Sequence, residues 1–431
     1  MEMLMQYVWN SRLLINPMIG TDGQSIEVID PGIRNMSSGP DFFNAKVIID
    51  GIKWVGNIEM HVRASDWHRH GHDGDPAYNN VILHVVADPD TTITLPDGRE
   101  IPQVVMSDFY RYKRRFENAL NTPGHQLACG SRLPLLNSLQ RTEWIDCLGI
   151  ERLQARSTYI IKSIKDSGGD LDFVAYVMLA RALGFGINAD AMEMTARSIN
   201  PRFLMLQSDS SLQVEAMLIG QSGLLSSTPV DFYHSRLIDE YQFLSNKYQL
   251  SPLSPGMWKT GGLRPANAPM RRLALLAEFM RHGIVSSSRL TSIESADEAR
   301  QLFDLTPGSY WHTHTSPGHT TTRSTCHLSS SSINLLVINV IVPLLYAHGE
   351  YLDRPALAER AINMLYDLPA EVNMPVQCFG ECSIKADNAF TSQALLHLYR
   401  EYCTRRRCLS CRWAHHLIAR PILSGQPTQS F

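Results

Sequence analysis

The sequence lacks the features that would carry the protein into a membrane or out of the cell. Its longest apolar run, residues 333–347, contains two asparagines and a proline, whereas a bilayer-spanning helix needs ~20 consecutive apolar residues. Residues 1–7 contain no lysine or arginine, and a secretory signal peptide begins with a basic segment. We therefore expect a cytoplasmic protein that does not enter a membrane, with 333–347 as a buried helix.

Neither charge nor cysteine content is extreme. The 39 basic and 42 acidic residues give a net charge of −3, so only a local basic patch would attract nucleic acid. The eight cysteines, without a secretory signal, predict reduced thiols or a metal site rather than disulfides. No repeat of fixed period indicates a solenoid. A chain of 431 residues, 44% of them hydrophobic, is long enough for two or three domains with a sizeable core.

The periodicity of the chain changes near residue 106. Alternating, strand-like stretches with turn signals precede that point, and helical periodicity follows it. We predict an α+β fold in which a small N-terminal mixed α/β sheet domain is followed by a larger all-helical region. The predicted divisions are a β-rich domain at 1–106, a helical domain at 107–310, a Ser/Thr/His-rich loop at 311–332 and a helical C-terminal region at 333–431. Strands are expected at 26–29, 46–49, 53–63 and 81–86 with a hairpin at 92–101, and helices at 108–120, 138–165, 172–183, 212–219, 232–248, 269–281, 297–303, 333–347, 354–366 and 388–402.

Acidic and histidine side chains collect between residues 39 and 86. Alternation along a strand puts Glu59 and His61 on one face, ~7 Å apart. A turn at Gly51 pairs this strand with the preceding one and brings Asp41 near Glu59. Carboxylates from two adjacent strands are typical ligands of Mg²⁺ or Mn²⁺. The same segment also contains His61, His68, His70, His72 and His84, five of the sixteen histidines.

Two other interpretations of this cluster stay open. Imidazole-rich sites prefer zinc or iron, so the protein would be a zinc- or iron-dependent hydrolase of another substrate, with His61, His70, His72 and His84 as ligands. A half-solvated strand shows the same alternation with its polar side chains facing water. In that case the histidines only tie a loop to the sheet, and the protein is a non-enzymatic nucleic-acid-binding or structural protein.

A turn rich in glycine and proline at 258–269 leads into a predicted helix. Asn267 is the expected N-cap residue of that helix. A helix N-terminus with Arg264, Arg271 and Arg272 nearby can also bind phosphate, so Arg264 and Arg272 are candidates for contact with DNA or RNA. Structural capping is the alternative role.

Cys403, Cys408 and Cys411 follow a predicted helix in C-x4-C-x2-C spacing. Three thiols so spaced can bind a zinc ion or an iron–sulphur cluster. Candidates for a fourth ligand are Cys129, Cys378, Cys382, His415 and His416, and Cys129 completes the predicted set. Free thiols in a packed turn are the alternative. The neighbouring Arg405, Arg406 and Arg407 form the most basic patch of the chain, a surface suited to a phosphate backbone.

Short segments spread over nearly the whole chain carry a resemblance to a known family. They are YVW at 7–9, GPDF at 39–42, GNIEMH at 56–61, SDW at 65–67, HGH at 70–72, Tyr78, VILHVV at 81–86, GQSGLL at 220–225, LRPAN at 263–267, SQAL at 392–395 and the cysteine segment 402–411. On these segments the chain resembles an uncharacterised bacterial family, domain of unknown function 2851. It departs from the family pattern at Ala268, where phenylalanine is expected, and at Ala414, where glycine is usual. The resemblance implies no established activity.

A second resemblance concerns the acidic segment. Pro40-Asp41, followed by Glu59-x-His61, is similar to the Pro-Asp…Glu-x-Lys pattern of restriction-endonuclease-like nucleases. This implies that Asp41 and Glu59 bind magnesium, that Glu27 adds a third carboxylate and that His61 replaces the lysine. It further implies hydrolysis of a phosphodiester of DNA or RNA, with His61 as general base. A thiol cluster joined to such a core is similar to the iron–sulphur branch of RecB-like nucleases, although the cysteine order differs.

Overall fold

The computed structural model describes residues 1–14, 16–35, 37–120, 126–284, 286–321 and 327–419. The strands are β1 Met18–Ile19, β2 Ser25–Asp30, β3 Ile33–Arg34, β4 Phe42–Ile49, β5 Ile52–Arg63, β6 Val81–Asp88, β7 Gln103–Val105, β8 His314–Ser316 and β9 His319–Thr320. The α-helices are α1 Glu2–Asn10, α2 Asp66–Arg69, α3 Phe109–Leu120, α4 Ser138–Asp166, α5 Leu171–Leu183, α6 Ala189–Arg197, α7 Pro201–Met205, α8 Ser211–Gln221, α9 Phe232–Tyr248, α10 Pro269–Arg281, α11 Ser287–Ser292, α12 Ala296–Gln301, α13 Ser330–Leu336, α14 Val342–Tyr351, α15 Pro355–Asp367, α16 Met374–Glu381, α17 Ala389–His397 and α18 Arg412–Ala419.

A seven-stranded mixed sheet is built from the N-terminal part of the chain, in the order β1-β2-β4-β5-β6-β7 with β3 paired to β4. β4 and β5 are antiparallel because a tight turn joins them, with Asp50 and Gly51 at φ 47° and 82°. β6 runs parallel to β5 because α2 and two 3-10 turns carry the chain back across the sheet. The apolar strand β6 is buried along nearly its whole length, as expected of an inner strand.

The predicted architecture, a mixed sheet followed by a larger helical region, is confirmed. Each of the four predicted strands lies within β2, β4, β5 or β6. The hairpin expected at 92–101 is reduced to one antiparallel bridge between Thr94 and Glu100, with a turn at Gly98. β7, which follows it and pairs in parallel with β6, is only three residues long and carries too short a pattern to be predicted.

The chain forms two compact units that alternate along the sequence. The first contains Met1–Trp144, Cys378–Ile384 and the described part of Tyr399–Phe431, and the second contains Ile145–Gln377 and Lys385–Leu398. The domain boundaries predicted at 106, 310 and 332 differ from the boundaries of these two units. Helix α3, which follows residue 106, belongs to the same unit as the sheet, and the chain returns to that unit at 378–384 and again at 399. The core of the second unit is helical and surrounds fully buried aromatic side chains such as Tyr176, Phe279 and Trp311.

Most predicted helices are present, and α9 and α10 have the predicted bounds. The predicted helix 333–347 is instead divided into α13, a π-helical turn at Val337–Ile341, and α14. Pro343 explains the interruption, since it has no N–H to donate to the carbonyl of Asn339, which accepts from Arg156 at 2.9 Å instead. The stretch Ser330–Tyr351 is long and apolar enough to cross a membrane. However, 67% of its most apolar segment of 18 residues is buried within the protein.

The segment predicted as a loop at 311–332 has some regular structure. It includes the end of a 3-10 turn, Ser309–His312, and the two-stranded hairpin β8-β9. Helix α13 begins at Ser330, inside the predicted loop, with Ser329 as its N-cap. Residues 322–326 lie outside the described residues.

Candidate metal centre

The pairing of β4 with β5 places Asp41 beside Glu59. Phe42 on β4 lies opposite Ile58 on β5. Because the two strands are antiparallel, Asp41, the residue before Phe42, lies opposite Glu59, the residue after Ile58. The backbone N–H of Asp41 donates to Glu59 Oε2 at 3.1 Å, and the N–H of Met60 donates to Asp41 Oδ2 at 3.1 Å. Gln6, on α1, donates to the other oxygen of Asp41 at 2.7 Å. Two carboxylates are thus fixed next to each other, largely out of water.

Burial and mutual repulsion disfavour the charged forms of both carboxylates. Burial, and then the charge of Glu59, raise the pKa of Asp41 to about 7. Burial also raises the pKa of Glu59, although hydrogen bonds from His72 and from the Asp41 backbone oppose that rise. Glu2 on α1 adds a third negative charge that raises both pKa values. A cation bound here would relieve this repulsion.

Three imidazoles converge beside Glu59, and two of them lie within 3.6 Å of its Oε1. One nitrogen from each of His61, His70 and His72 lies within 4.8 Å of the others. His61 Nε2 is 3.1 Å from His70 Nδ1, and Glu59 Oε1 is 3.4 Å from His72 Nε2 and 3.6 Å from His61 Nε2. We call these four side chains the histidine site. Three nitrogen donors and one carboxylate oxygen form a ligand set that zinc and other first-row metals prefer.

His84 lies behind His61 rather than among the converging atoms. It is on β6 opposite Glu59, and its Nε2 is 3.0 Å from His61 Nδ1. A cation at His61 Nε2 requires the tautomer with its proton on Nδ1, and that proton then points at His84. Burial, and then the charge of His84, lower the pKa of His61 to about 2, and burial lowers that of His84 to about 4. Both rings are therefore neutral, the form in which imidazole binds metals.

Two aromatic side chains enclose the histidine site. Tyr78 stacks on the His72 ring with centroids 3.9 Å apart. The fully buried Trp67 meets His61 and His72 edge to face, at 6.3 and 5.4 Å. His70, by contrast, is exposed, so the site is closed by apolar rings on the inside and open to solvent at His70. Such packing fixes ring orientation before a ligand arrives.

The comparison with known families agrees with the resemblance found in the sequence. A family model described as "Protein of unknown function (DUF2851)" matches residues 2–374. The chain belongs to the DUF2851 family. The match covers the whole histidine site and ends before the three clustered cysteines at 403–411. No curated protein and no solved structure matches this DUF2851 chain.

Some predicted site residues of this DUF2851 chain lie elsewhere. Glu27 is exposed and pairs with Ile48, at the end of β4 remote from Asp41, so the predicted third carboxylate is wrong. The third negative charge near Asp41 comes instead from Glu2 on α1. Neither Glu2 nor Gln6 was predicted, because α1 lies more than thirty residues before Asp41 in the sequence and no motif links the two segments. His68 is exposed and its Nδ1 lies 2.8 Å from Asp73, outside the histidine site.

The arginines predicted to bind nucleic acid have different environments. Arg264 in the second unit and Arg405, Arg406 and Arg407 in the first unit are exposed. Arg272 is buried, lies over the Phe185 ring at 4.7 Å and donates to Asn267 Oδ1 at 2.6 Å. Its guanidinium therefore does not face solvent, where a duplex would bind. The same contact corrects the predicted cap, since Asn267 holds Arg272 and Ala268 is the N-cap residue of α10.

Proposed function

We propose that this protein is a metal-dependent hydrolase whose metal centre is the histidine site. The observation that carries the proposal is the convergence of three imidazole nitrogens within 4.8 Å of one another, with Glu59 Oε1 within 3.6 Å of two of them. Nitrogen-rich sites bind zinc or iron in preference to magnesium, which keeps oxygen ligands. A bound zinc or iron ion would supply Lewis acidity and lower the pKa of a bound water to ~7.

The surrounding residues would orient the ligands and control access. Asp41 holds Glu59 Oε2 through its backbone N–H, which leaves Oε1 free to face the cation. With a cation at His61 Nε2, the Nδ1 proton of His61 would be donated to His84 Nε2, 3.0 Å away, and His84 would then take the role of a carboxylate or carbonyl in many metal sites. The exposed His70 and the neighbouring Arg69, whose side chain is 70% exposed, line the open side. A negatively charged substrate would approach this side.

A second candidate function is a magnesium- or manganese-dependent phosphodiesterase acting on DNA or RNA. The specific support is the adjacent pair Asp41 and Glu59 on neighbouring strands, with Glu2 adding negative charge. In this alternative the oxygens of the pair bind the cation. His61 would then stand near the attacking water as general base. The exposed arginines 405–407 would contact the phosphate backbone.

Metal analysis of matched variants tests the first proposal. We expect protein purified without chelator to contain about one zinc or iron ion per chain beyond any metal held by the cysteines. His70→Ala, at an exposed ligand, should lose this ion and its zinc-binding heat in calorimetry. His68→Ala, two residues away and outside the site, should keep both. Equal metal content in wild type and His70→Ala would refute the histidine site.

Hydrolysis assays then separate the two candidates. Each variant is incubated with bis(p-nitrophenyl) phosphate, single- and double-stranded DNA, RNA and a carboxylic ester, with zinc, manganese or magnesium. Activity with zinc or iron that His70→Ala abolishes supports the histidine site. Magnesium-dependent cleavage of nucleic acid that survives in His70→Ala but disappears in Asp41→Asn supports the carboxylate pair. Stoichiometric metal without hydrolysis of any substrate would leave a metal-binding protein and contradict both enzymes.

A further inference from the structure

The loop that contains Cys403, Cys408 and Cys411 is folded by its own backbone. The π-helical turn Leu398–Cys403 ends α17, and the N–H groups of Thr404 and Arg407 donate back into this turn. Arg406 takes a left-handed conformation, with φ 51°. A 3-10 turn, Cys408–Ser410, then brings the Cys411 N–H to 3.1 Å from the Cys408 carbonyl oxygen, and α18 starts at the next residue. The spacing of the three cysteines is therefore built into a compact turn.

Cys129 is the fourth member of this group. It precedes a 3-10 turn, Gly130–Leu135, in the same unit. Burial, and then the charges that Cys411 and Cys408 would carry as thiolates, raise the pKa of Cys129 to about 12. Burial, and then the charges that Cys411, Cys129 and Cys408 would carry as thiolates, raise the pKa of Cys403. All four thiols thus lie close enough to feel one another's charge; we call them the thiol cluster.

Two other candidates for the fourth ligand have partners of their own. Cys378 Sγ donates to Gln126 Oε1 at 3.0 Å. His415 Nδ1 lies 2.6 Å from the Tyr7 hydroxyl. Cys129 interacts electrostatically with Cys403, Cys408 and Cys411, and we therefore take it as the fourth ligand.

Donor groups surround the most buried sulfur. The backbone N–H groups of Trp413 and Ala414, in the first turn of α18, lower the pKa of Cys411 against the effect of burial. The indole N–H of Trp144, a side chain only 6% exposed, finds no full hydrogen bond among the described residues, yet it also lowers the pKa of Cys411. An unpartnered buried donor beside a sulfur is suited to a thiolate held by a metal, because a thiolate is a stronger acceptor than a thiol.

Helix α18, which begins one residue after Cys411, packs against the 3-10 turn Gly130–Leu135, which begins one residue after Cys129. The two segments that carry the four thiols are therefore neighbours in the first unit. Four thiolates are the ligand set of a structural zinc ion or of a four-iron, four-sulphide cluster.

We propose that Cys129, Cys403, Cys408 and Cys411 bind one metal centre, a zinc ion or a preformed four-iron, four-sulphide cluster, through four thiolates. Each thiol loses its proton to solvent and forms one metal–sulphur bond, so four protons leave for each centre that is bound. Four thiolates leave the site net negative, and the exposed Arg405, Arg406 and Arg407 would offset part of that charge. The proposal does not depend on the histidine site or its activity.

Anaerobic purification of the full chain tests the proposal. We expect either one zinc ion per chain without sulphide, or about four irons and four acid-labile sulphides per chain with a broad visible absorption. Cys408→Ser, at a half-buried position, should lose most of this metal, whereas Cys147→Ser should keep it. Equal metal content in wild type and Cys408→Ser, or no metal at all, would refute the proposed site.

A measurement on the wild-type protein avoids variants that do not fold. Alkylation followed by mass spectrometry should find the four cysteines protected together in the native protein. Removal of the metal should expose them together, while Cys147 reacts alike before and after. Labelling of Cys403 or Cys408 in the untreated anaerobic protein would refute shared ligation.

Discussion

Replacing Asp41 with asparagine tests the charge balance of the carboxylate pair in the metal-free protein. The pKa of Asp41 is raised to about 7, by burial first and by Glu59 second, whereas a solvated aspartate titrates near ~3.9. Between these pH values the folded protein keeps a proton that the unfolded chain releases. The free energy of unfolding therefore falls as the pH rises through this range. At about 1.4 kcal/mol per pH unit, the loss approaches ~4 kcal/mol at pH 8, as an upper limit.

The asparagine variant removes this loss but gives up one acceptor. Asp41 accepts from Gln6 and from the Met60 N–H, and an asparagine offers a single oxygen. Gln6 cannot turn its own amide to compensate, because its Oε1 already accepts from Arg34 at 2.8 Å. One lost hydrogen bond costs about 1 kcal/mol. We therefore expect the variant to be less stable by about 1 kcal/mol near pH 4 and more stable by up to ~3 kcal/mol at pH 8.

Amide hydrogen exchange in β4 and β5 is the appropriate assay, because a chain of two units does not need to unfold in one step. The difference between variant and wild type should change sign near pH 5 in the presence of a chelator. Added zinc should stabilise the wild type at pH 8 more than the variant, since it replaces the proton as the neutralising charge. A variant that is less stable than wild type at every pH between 4 and 8 would refute the reasoning.

Three further predictions follow from individual contacts. Gly56→Ala should lower the stability of the first unit by about 1–3 kcal/mol in thermal melts, since the new Cβ would lie 2.4 Å from Ile82 Cγ2, whereas Gly261→Ala has open space and should change nothing. Glu215→Gln should stabilise the second unit above pH 7, because burial raises the pKa of Glu215 to about 7 and the glutamine carries no charge. The amide oxygen of the glutamine can still accept from Trp311 and Tyr233. A variant less stable than wild type above pH 7 would contradict the prediction. His84→Gln should weaken zinc binding ~10–100-fold in calorimetry, the range for residues that orient a ligand, and unchanged affinity would remove His84 from that role.

The strands and the two central acidic positions could be predicted because their signals are local. Alternation in β5 puts Glu59 and His61 on one face, and the turn at Gly51 fixes the pairing that brings Asp41 alongside. Gln6 could not be found in this way. It reaches Asp41 only because α1 packs beside the sheet, a contact that no spacing in the sequence records.

The errors have physical causes as well. Glu27 has the right residue type on the right sheet, but the register of β2 with β4 places it opposite Ile48. Asn267 has the right type for an N-cap, but Pro269 starts α10 one residue too late for it, and a buried guanidinium takes its oxygen. In both cases a local preference was overruled by a partner that is fixed only once the chain has folded.

Helix α1 supports both candidate sites of the first unit. Gln6 holds Asp41, while the adjacent Tyr7 hydroxyl lies 2.6 Å from His415 Nδ1 on α18, the helix whose first turn faces Cys411. A metal centre on the four thiols would fix α18, and α18 would in turn hold α1 against the sheet. Loss of that metal should therefore loosen the Gln6–Asp41 contact and weaken metal binding at the histidine site. The reverse effect should be smaller, because β5 and β6 hold His61 and His84 without help from α18.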